Sequence, residues 1–496
     1  MVPDIEKKTV GRGAAYIYIE TIASLISGYV FWVVMSNITS TETIGIGSTL
    51  FSMAGIVAVV ANIGIPTGIQ RFLGKGFSDK KIDEAKTLTL VALFLIFLGV
   101  SACSIVILLV QNTVNEIFNF DFQLILIAIL FVGSSSVSML FRSVIIASLK
   151  TKSLPLIIIS SSIVKLVLAT VLLLIGTGTV GLALGFTSNH VLSSILLGIF
   201  IMRTIFRSSR TTNLLTSLVT HSKSILISSV VYWIPLLITT IGSQLGTIVV
   251  FGSQGANQAG VYFLTLTIVT GITSVMNSLF SIALPTMSGM KDYRKRFAWH
   301  TIRFSAILLL PFSCSLIFYS SDIMQLFGQH YVSGSLSLEI LLLSMLPMAI
   351  LTGVNTLVYS YGNYRDVLVI GLAVSIPRTI LYFVLVPIYG GTGAAIGYTL
   401  GSILGCIVSL GISRKIGLHM FWKDLGIVFV LPTTLAFVFD YLQINFILGI
   451  LSSVVLSYVI LLKLRIITRS DVQDSLDILP ERLSKQLLKL VKKLRI

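Results

Sequence analysis

Apolar stretches long enough to cross a bilayer recur along the whole chain, separated by short polar or basic breaks. They occupy 13–36, 43–65, 87–111, 122–148, 153–177, 179–202, 224–251, 257–286, 301–320, 336–361, 367–389, 391–413, 424–441 and 443–464. A helix needs roughly 20 apolar residues to span the hydrocarbon core. The pattern therefore predicts an all-α, polytopic membrane protein with about fourteen transmembrane helices.

The first twelve runs divide into two sets of six. Runs of the second set begin 212–214 residues after their counterparts: 43 against 257, 87 against 301, 153 against 367, 179 against 391. Gly181, Ala183 and Gly185 align with Gly393, Ala395 and Gly397, and Lys152 aligns with Arg365. An even number of helices per set gives both sets the same orientation. This predicts two pseudo-symmetric six-helix bundles, related by an axis along the membrane normal, with a substrate site between them. The expected organisation is an N-terminal lobe at 1–213, a second lobe at 214–416, two additional transmembrane helices at 417–465 and a cytoplasmic tail at 466–496. In that tail Leu483, Leu487, Leu490, Val491 and Leu494 fall at helical spacing among Lys485, Lys489, Lys492, Lys493 and Arg495, the pattern of a helix lying on an anionic leaflet.

Composition narrows the class. With 55% hydrophobic and 11% charged residues and a mean hydropathy of +0.97, the chain does not read as a soluble globular protein. Its net charge of +16 raises nucleic acid as a partner. The placement of the cations supplies another cause: basic residues precede the first run and follow the even-numbered runs, whereas the loops after odd-numbered runs hold no Lys or Arg. By the positive-inside rule both termini are cytoplasmic in a cell membrane, and no nucleic-acid partner is expected. The first run is too long for a signal-peptide core and lacks a cleavage site, so no cleavable leader is expected. Cys103, Cys314 and Cys406 all sit in apolar runs and define no disulfide framework. The five histidines, His190 in the sixth run among them, show no metal spacing, so no metal or cofactor is expected. Gly176–Gly181 fits G-x-G-x-x-G but forms the turn of a helical hairpin with no strand before it, and Gly74-Lys75-Gly76 lacks the spacing of a phosphate-binding loop. No ATPase motif remains.

Two charges stand out against this background. Lys165 lies near the middle of the fifth run and Arg378 near the middle of the eleventh, its counterpart in the repeat. A cation at that depth costs at least about 2.5–3.5 kcal/mol. Two cations flanking one cavity would compensate the charge of a desolvated anion, Arg with a bidentate fork. The competing readings are internal pairing with a carboxylate or backbone carbonyls, and snorkelling towards an interface. Glu20, about two turns inside the first run, is a candidate for ion coupling or for pairing with Lys165, against a plain internal hydrogen bond. Arg71 and Arg142, near cytoplasmic helix ends, are candidates to receive an anionic substrate, against simple positive-inside anchors. Tyr16, Tyr29, Tyr232 and Trp233 are candidates to stack on rings of a substrate, against aromatic packing.

Several motifs carry a family resemblance. Gly64-Ile65-Pro66-Thr67-Gly68-Ile69-Gln70-Arg71-Phe72, followed by Ser78-Asp79 and Ala85, resembles the signature of the polysaccharide-transporter branch of the multidrug/oligosaccharidyl-lipid/polysaccharide (MOP) flippases. Gly260-Val261-Tyr262 is similar to that family's GxY, and Leu326-Phe327-Gly328 with Tyr331, Leu338, Leu341 and Leu342 to its LFGxxY…LxxLL stretch. Ile467-Thr468 with Asp471-Val472 resembles its tail. One departure is plain: Gly242-Ser243-Gln244-Leu245-Gly246 lacks the aspartate that many relatives carry near the outer end of the seventh helix.

The resemblance implies a MATE-like fold and a flippase or exporter, not an enzyme, moving polyprenyl-(pyro)phosphate-linked oligosaccharide from the cytoplasmic to the outer leaflet by alternating access. Its partners would be membrane lipid, the lipid-linked glycan, a proton or sodium gradient and glycan-assembly enzymes, with the chain acting as a monomer. Two alternatives compete. A multidrug antiporter of the same fold fits poorly with buried cations. A polyprenyl-linked glycosyltransferase would need acidic metal-binding groups, and Glu116, Asp121, Asp322 and Glu339 form no obvious diad.

Overall fold

The computed structural model describes residues 4–207, 209, 214–290 and 292–466. The amphipathic segment expected after residue 466, and the tail motif beginning at Ile467, lie outside them. The described residues are helical with no strand. In chain order the helices are α1 (Asp4–Ile38), α2 (Thr41–Asn62), α3 (Ile65–Ser78), α4 (Ile82–Leu109), α5 (Gln111–Phe118), α6 (Phe122–Ala147), α7 (Leu154–Leu174), α8 (Gly178–Phe200), α9 (Leu214–Gly289), α10 (Arg294–Phe318), α11 (Ser320–Gln325), α12 (Ser335–Leu342), α13 (Met345–Ser360), α14 (Tyr364–Ile416), α15 (Trp422–Tyr441) and α16 (Phe446–Lys463).

Among the described residues eleven helices are long and apolar enough to cross a membrane, or twelve with the bent pair Gln329–Leu342 and Met345–Ser360. The fourteen runs of the sequence do not appear as fourteen separate helices, for a local reason. The 76 residues of α9 and the 53 of α14 each hold two runs, joined without a loop. Their breaks are Gly255, at φ 82 and ψ 176, and Gly390, at φ 56 and ψ −135. Such angles are open essentially to glycine alone. The bent pair turns by 43° across a two-residue gap.

The chain packs into two compact units. One comprises Ile22–Leu264 and Arg378–Ala394; the other takes α1 up to Thr21, Thr265–Pro377 and the described residues from Ala395 to Ile466. In the first unit α2 and the part of α9 just after the Gly255 break touch backbone to backbone: a side chain on Gly45 would overlap the Ala256 carbonyl, and one on Gly260 would meet the Thr41 carbonyl at 2.5 Å. Small residues are the usual means of such close helix packing in a bilayer. Gly260 of the GxY motif is thus a contact point, and its partner Tyr262 is wholly buried.

In the second unit α15 and α16 lie against α10. Ser315 and Ser453 share a 2.7 Å hydrogen bond, Tyr458 Oη donates to the Leu308 carbonyl at 2.8 Å, and Arg303 meets Asp424 at 3.5 Å. The LFGxxY stretch forms a turn whose Phe327 and Tyr331 are 0% and 2% exposed, with Leu338 and Leu341 completely buried behind them.

Candidate functional site

Lys165 sits halfway along α7. Proline starts the helix, at Pro155, where a missing N–H costs nothing. Ser161, Ser162, Lys165 and Ala169 are buried, while Ile163, Val164, Val167 and Val171 are exposed, so the helix turns one narrow face inward. Lys165 lies on that inward face at 6% exposure, which rules out the snorkelling reading. Small neighbours let α1 and α8 close on it: Ser27 Oγ donates to Ser162 Oγ at 3.1 Å, and Gly185 lies so near Ala169 that a Cβ would sit 2.4 Å from the alanine methyl.

The ammonium points at aromatic faces. Lys165 Nζ is 4.5 Å from the Phe31 ring centroid and 5.4 Å from that of Phe186. These distances fall within the roughly 6 Å over which ring quadrupoles attract cations. Lys165 makes no ion pair or hydrogen bond with a described residue. Further rings back the first two: Phe51 stacks on Phe186 at 4.1 Å, Trp32 meets Phe31 edge-on at 5.0 Å, and Phe131 meets His190 edge-on at 4.8 Å. Next to Phe51 and Phe186 in the chain, the buried hydroxyls of Ser52 and Thr187 have no hydrogen-bond partner among the described residues. A buried cation with no counter-charge is suited to meeting an anionic ligand.

Arg378 lies on α14 at 3% exposure, on a buried face with Tyr382 and Val386, opposite the exposed Ile380, Phe383 and Val384. Tyr382 Oη donates to the Gly242 carbonyl at 3.1 Å. Gly246 packs against Tyr262 and Tyr382 so tightly that a Cβ would lie 2.9–3.2 Å from them. The stretch that lacks an aspartate is therefore filled by two tyrosines. Glu20 is buried on α1 at 5% exposure, and both it and Arg378 have interaction partners within the protein.

Arg71 and Arg142 flank one hydrogen bond between neighbouring helices, Gln70 Nε2 to Ser143 Oγ at 3.0 Å. Arg71 is exposed on α3, and Arg142 is half-buried on α6. The helix α3 was not evident in the sequence, which reads there as a basic loop. Gly64, at φ 69, starts it in the left-handed region, and Gly64 and Gly68 leave only enough room for Ser229 and Trp233 of α9. Trp233 Nε1 donates to the Val59 carbonyl at 2.8 Å, closing the end of α2. Tyr16, Tyr29 and Tyr232 are each half-buried. Phe31 and Phe186 were missed: nothing in the order of residues marks these two among 28 phenylalanines as the pair that meets Lys165.

Residues 44–335, more than half the chain, match the family described as polysaccharide biosynthesis protein. The chain belongs to this family. An uncharacterized membrane protein of Methanocaldococcus jannaschii is 24% identical over 423 residues, which cover 82% of this chain and 99% of that protein. The fold is that of several solved structures. Lipid II flippase MurJ in its inward closed conformation superposes with a TM-score of 0.70 at 16% identity, covering 90% of this chain and 97% of its own. An inward-facing multidrug resistance MATE family transporter of the MOP superfamily gives 0.59 at 14% identity, covering 82% and 94%. A MOP superfamily transporter from Pyrococcus furiosus, described by the reversed polarity of its binding pocket, gives 0.61 at 14% identity, covering 83% and 95%. This member of the polysaccharide biosynthesis protein family is thus a multi-pass membrane protein with a MurJ- and MATE-like fold.

Proposed function

We propose that the protein is a flippase carrying a polyprenyl-(pyro)phosphate-linked oligosaccharide from the cytoplasmic to the outer leaflet by alternating access, supplying polysaccharide assembly outside the cell. The observation that carries this reading is Lys165: buried at mid-span, facing aromatic rings and making no ion pair with a described residue. A charge held in that way costs stability unless an anion arrives to meet it. Membership of the polysaccharide biosynthesis protein family and the MurJ-like fold point to the same class of cargo. In this reading Lys165 and Arg378 meet the (pyro)phosphate in a cavity between the two six-helix sets, after Arg71 and Arg142 have received it from the inner leaflet. Both termini lie in the cytoplasm, and the chain crosses the membrane fourteen times. An ion gradient acting through Glu20, or the substrate gradient itself, supplies the drive.

The test is reconstitution of the protein in vesicles with a fluorescent lipid-linked oligosaccharide and a leaflet-accessibility readout, run beside an organic-cation efflux assay. Expected are transfer of the glycolipid, its loss in the Lys165→Ala, Arg378→Ala double variant and no cation efflux. Cation efflux without glycolipid transfer, or normal transfer by the double variant, defeats the reading.

A further inference from the structure

Away from the Lys165 region, two ends of α14 enclose a cavity of about 710 Å³. Arg365, Asp366 and Asn363 line it from the first turn, and Lys415 from the last. Val369, Val408 and Gly411 line it as well, Val369 and Gly411 being exposed. Val408 lies seven residues before Lys415, so the slot runs about 10 Å from a charged rim to an apolar floor. Both cations are exposed, and neither makes an ion pair or hydrogen bond with a described residue. The one acid at the rim is already engaged, since Asn363 Nδ2 donates to Asp366 Oδ2 at 2.6 Å. At Gly411 the space is open: a Cβ there would meet nothing within 4 Å.

The first six-helix set repeats the theme. A cavity of about 520 Å³ is lined by mostly apolar residues of α6 and α8, with Ser194 among them, and by Met202 and Arg203 of the π-helical turn Ile201–Ile205. At the 212-residue offset of the repeat, Arg203 is the counterpart of Lys415. An apolar slot rimmed by an uncommitted cation therefore recurs at the end of the last helix of each set.

We propose that the Arg365/Lys415 groove binds an anionic phospholipid of the cytoplasmic leaflet, its phosphate between the two cations and the start of an acyl chain along Val369, Val408 and the open face of Gly411. Charge placement in the chain puts this rim on the cytoplasmic side, and basic pockets between helices there suit phosphate headgroups. The site stands apart from the transport reading, because none of its residues is among those assigned to cargo.

Native mass spectrometry of the purified protein titrated with phosphatidylglycerol or phosphatidylcholine tests it. Phosphatidylglycerol is expected to bind preferentially. Arg365→Gln and Lys415→Gln should each weaken that binding about fivefold. Gly411→Leu, whose Cβ meets nothing within 4 Å and whose side chain would occupy the slot, should weaken it without lowering the melting temperature, so the test survives if the charge variants fold poorly. Lys80→Gln, an exposed lysine outside the groove, should bind as the parent does. Equal binding of phosphatidylcholine, or undiminished phosphatidylglycerol binding in Gly411→Leu, overturns the proposal.

Discussion

Replacing Lys165 by methionine separates a cargo-binding cation from a structural one. The substitution keeps an unbranched side chain of similar length and removes only the charge. Placing that charge at the centre of a span costs about 2.5–3.5 kcal/mol. Two ring faces, at 4.5 and 5.4 Å, return about 0.5–2 kcal/mol each. The remainder is small, so Lys165→Met should change unfolding stability by less than about 2.5 kcal/mol in either direction. For cargo the balance differs. A hydrogen bond to a charged group contributes about 1.5–3 kcal/mol, so losing the ammonium should lower the rate of transfer at limiting substrate about 10- to 150-fold. Thermal unfolding in detergent and glycolipid transfer in vesicles, measured on the same preparation, give both quantities. A variant that loses more than about 3 kcal/mol of stability while transferring substrate normally would show that the lysine holds the helices together, and the cargo argument would fall.

Four further outcomes follow from the packing. Gly45→Ala places a methyl group into the Ala256 carbonyl and should cost at least about 1–3 kcal/mol, read as a lowered melting temperature. Trp233→Phe removes the hydrogen bond to the Val59 carbonyl and should cost about 1 kcal/mol; if transfer also fails while folding is kept, Trp233 meets the sugar as well. Asp424→Asn breaks the partly shielded pair with Arg303 and should destabilise by about 1–3 kcal/mol, with normal transfer in the surviving protein. Glu20→Gln should abolish the dependence of transfer on an imposed proton or sodium gradient; unchanged gradient dependence removes Glu20 from coupling.

The helical spans were legible because a membrane imposes a long apolar run on each of them, and the buried position of Lys165 was legible because a lone cation interrupts such a run. Three features were not. The helix α3 is amphipathic and shorter than a span, so its 14 residues pass for a basic loop. The junctions at Gly255, within 252–258, and at Gly390 read as short breaks between separate runs, so the pattern does not show that the runs are joined as one broken helix. The rings around Lys165 come from Phe31 and Phe186, separated from it by long stretches of chain. Which aromatic residues gather there depends on how α1, α7 and α8 pack, and helix-to-helix pairing leaves no periodic trace. The glycine-rich motifs were visible as family marks, but their physical task, letting α2, α3 and α9 approach, needed coordinates.

The unit that contains Lys165 also draws on 214–264 and 378–394, well beyond the loop that divides the sequence into two repeats. A gene cut at that loop would yield a front fragment missing part of its own scaffold. Made alone, that fragment should be degraded in cells; made together with the back fragment, it should be rescued. Duplication can copy a six-helix segment in one event, but once copies lend helices to each other, neither can be lost or exchanged by itself.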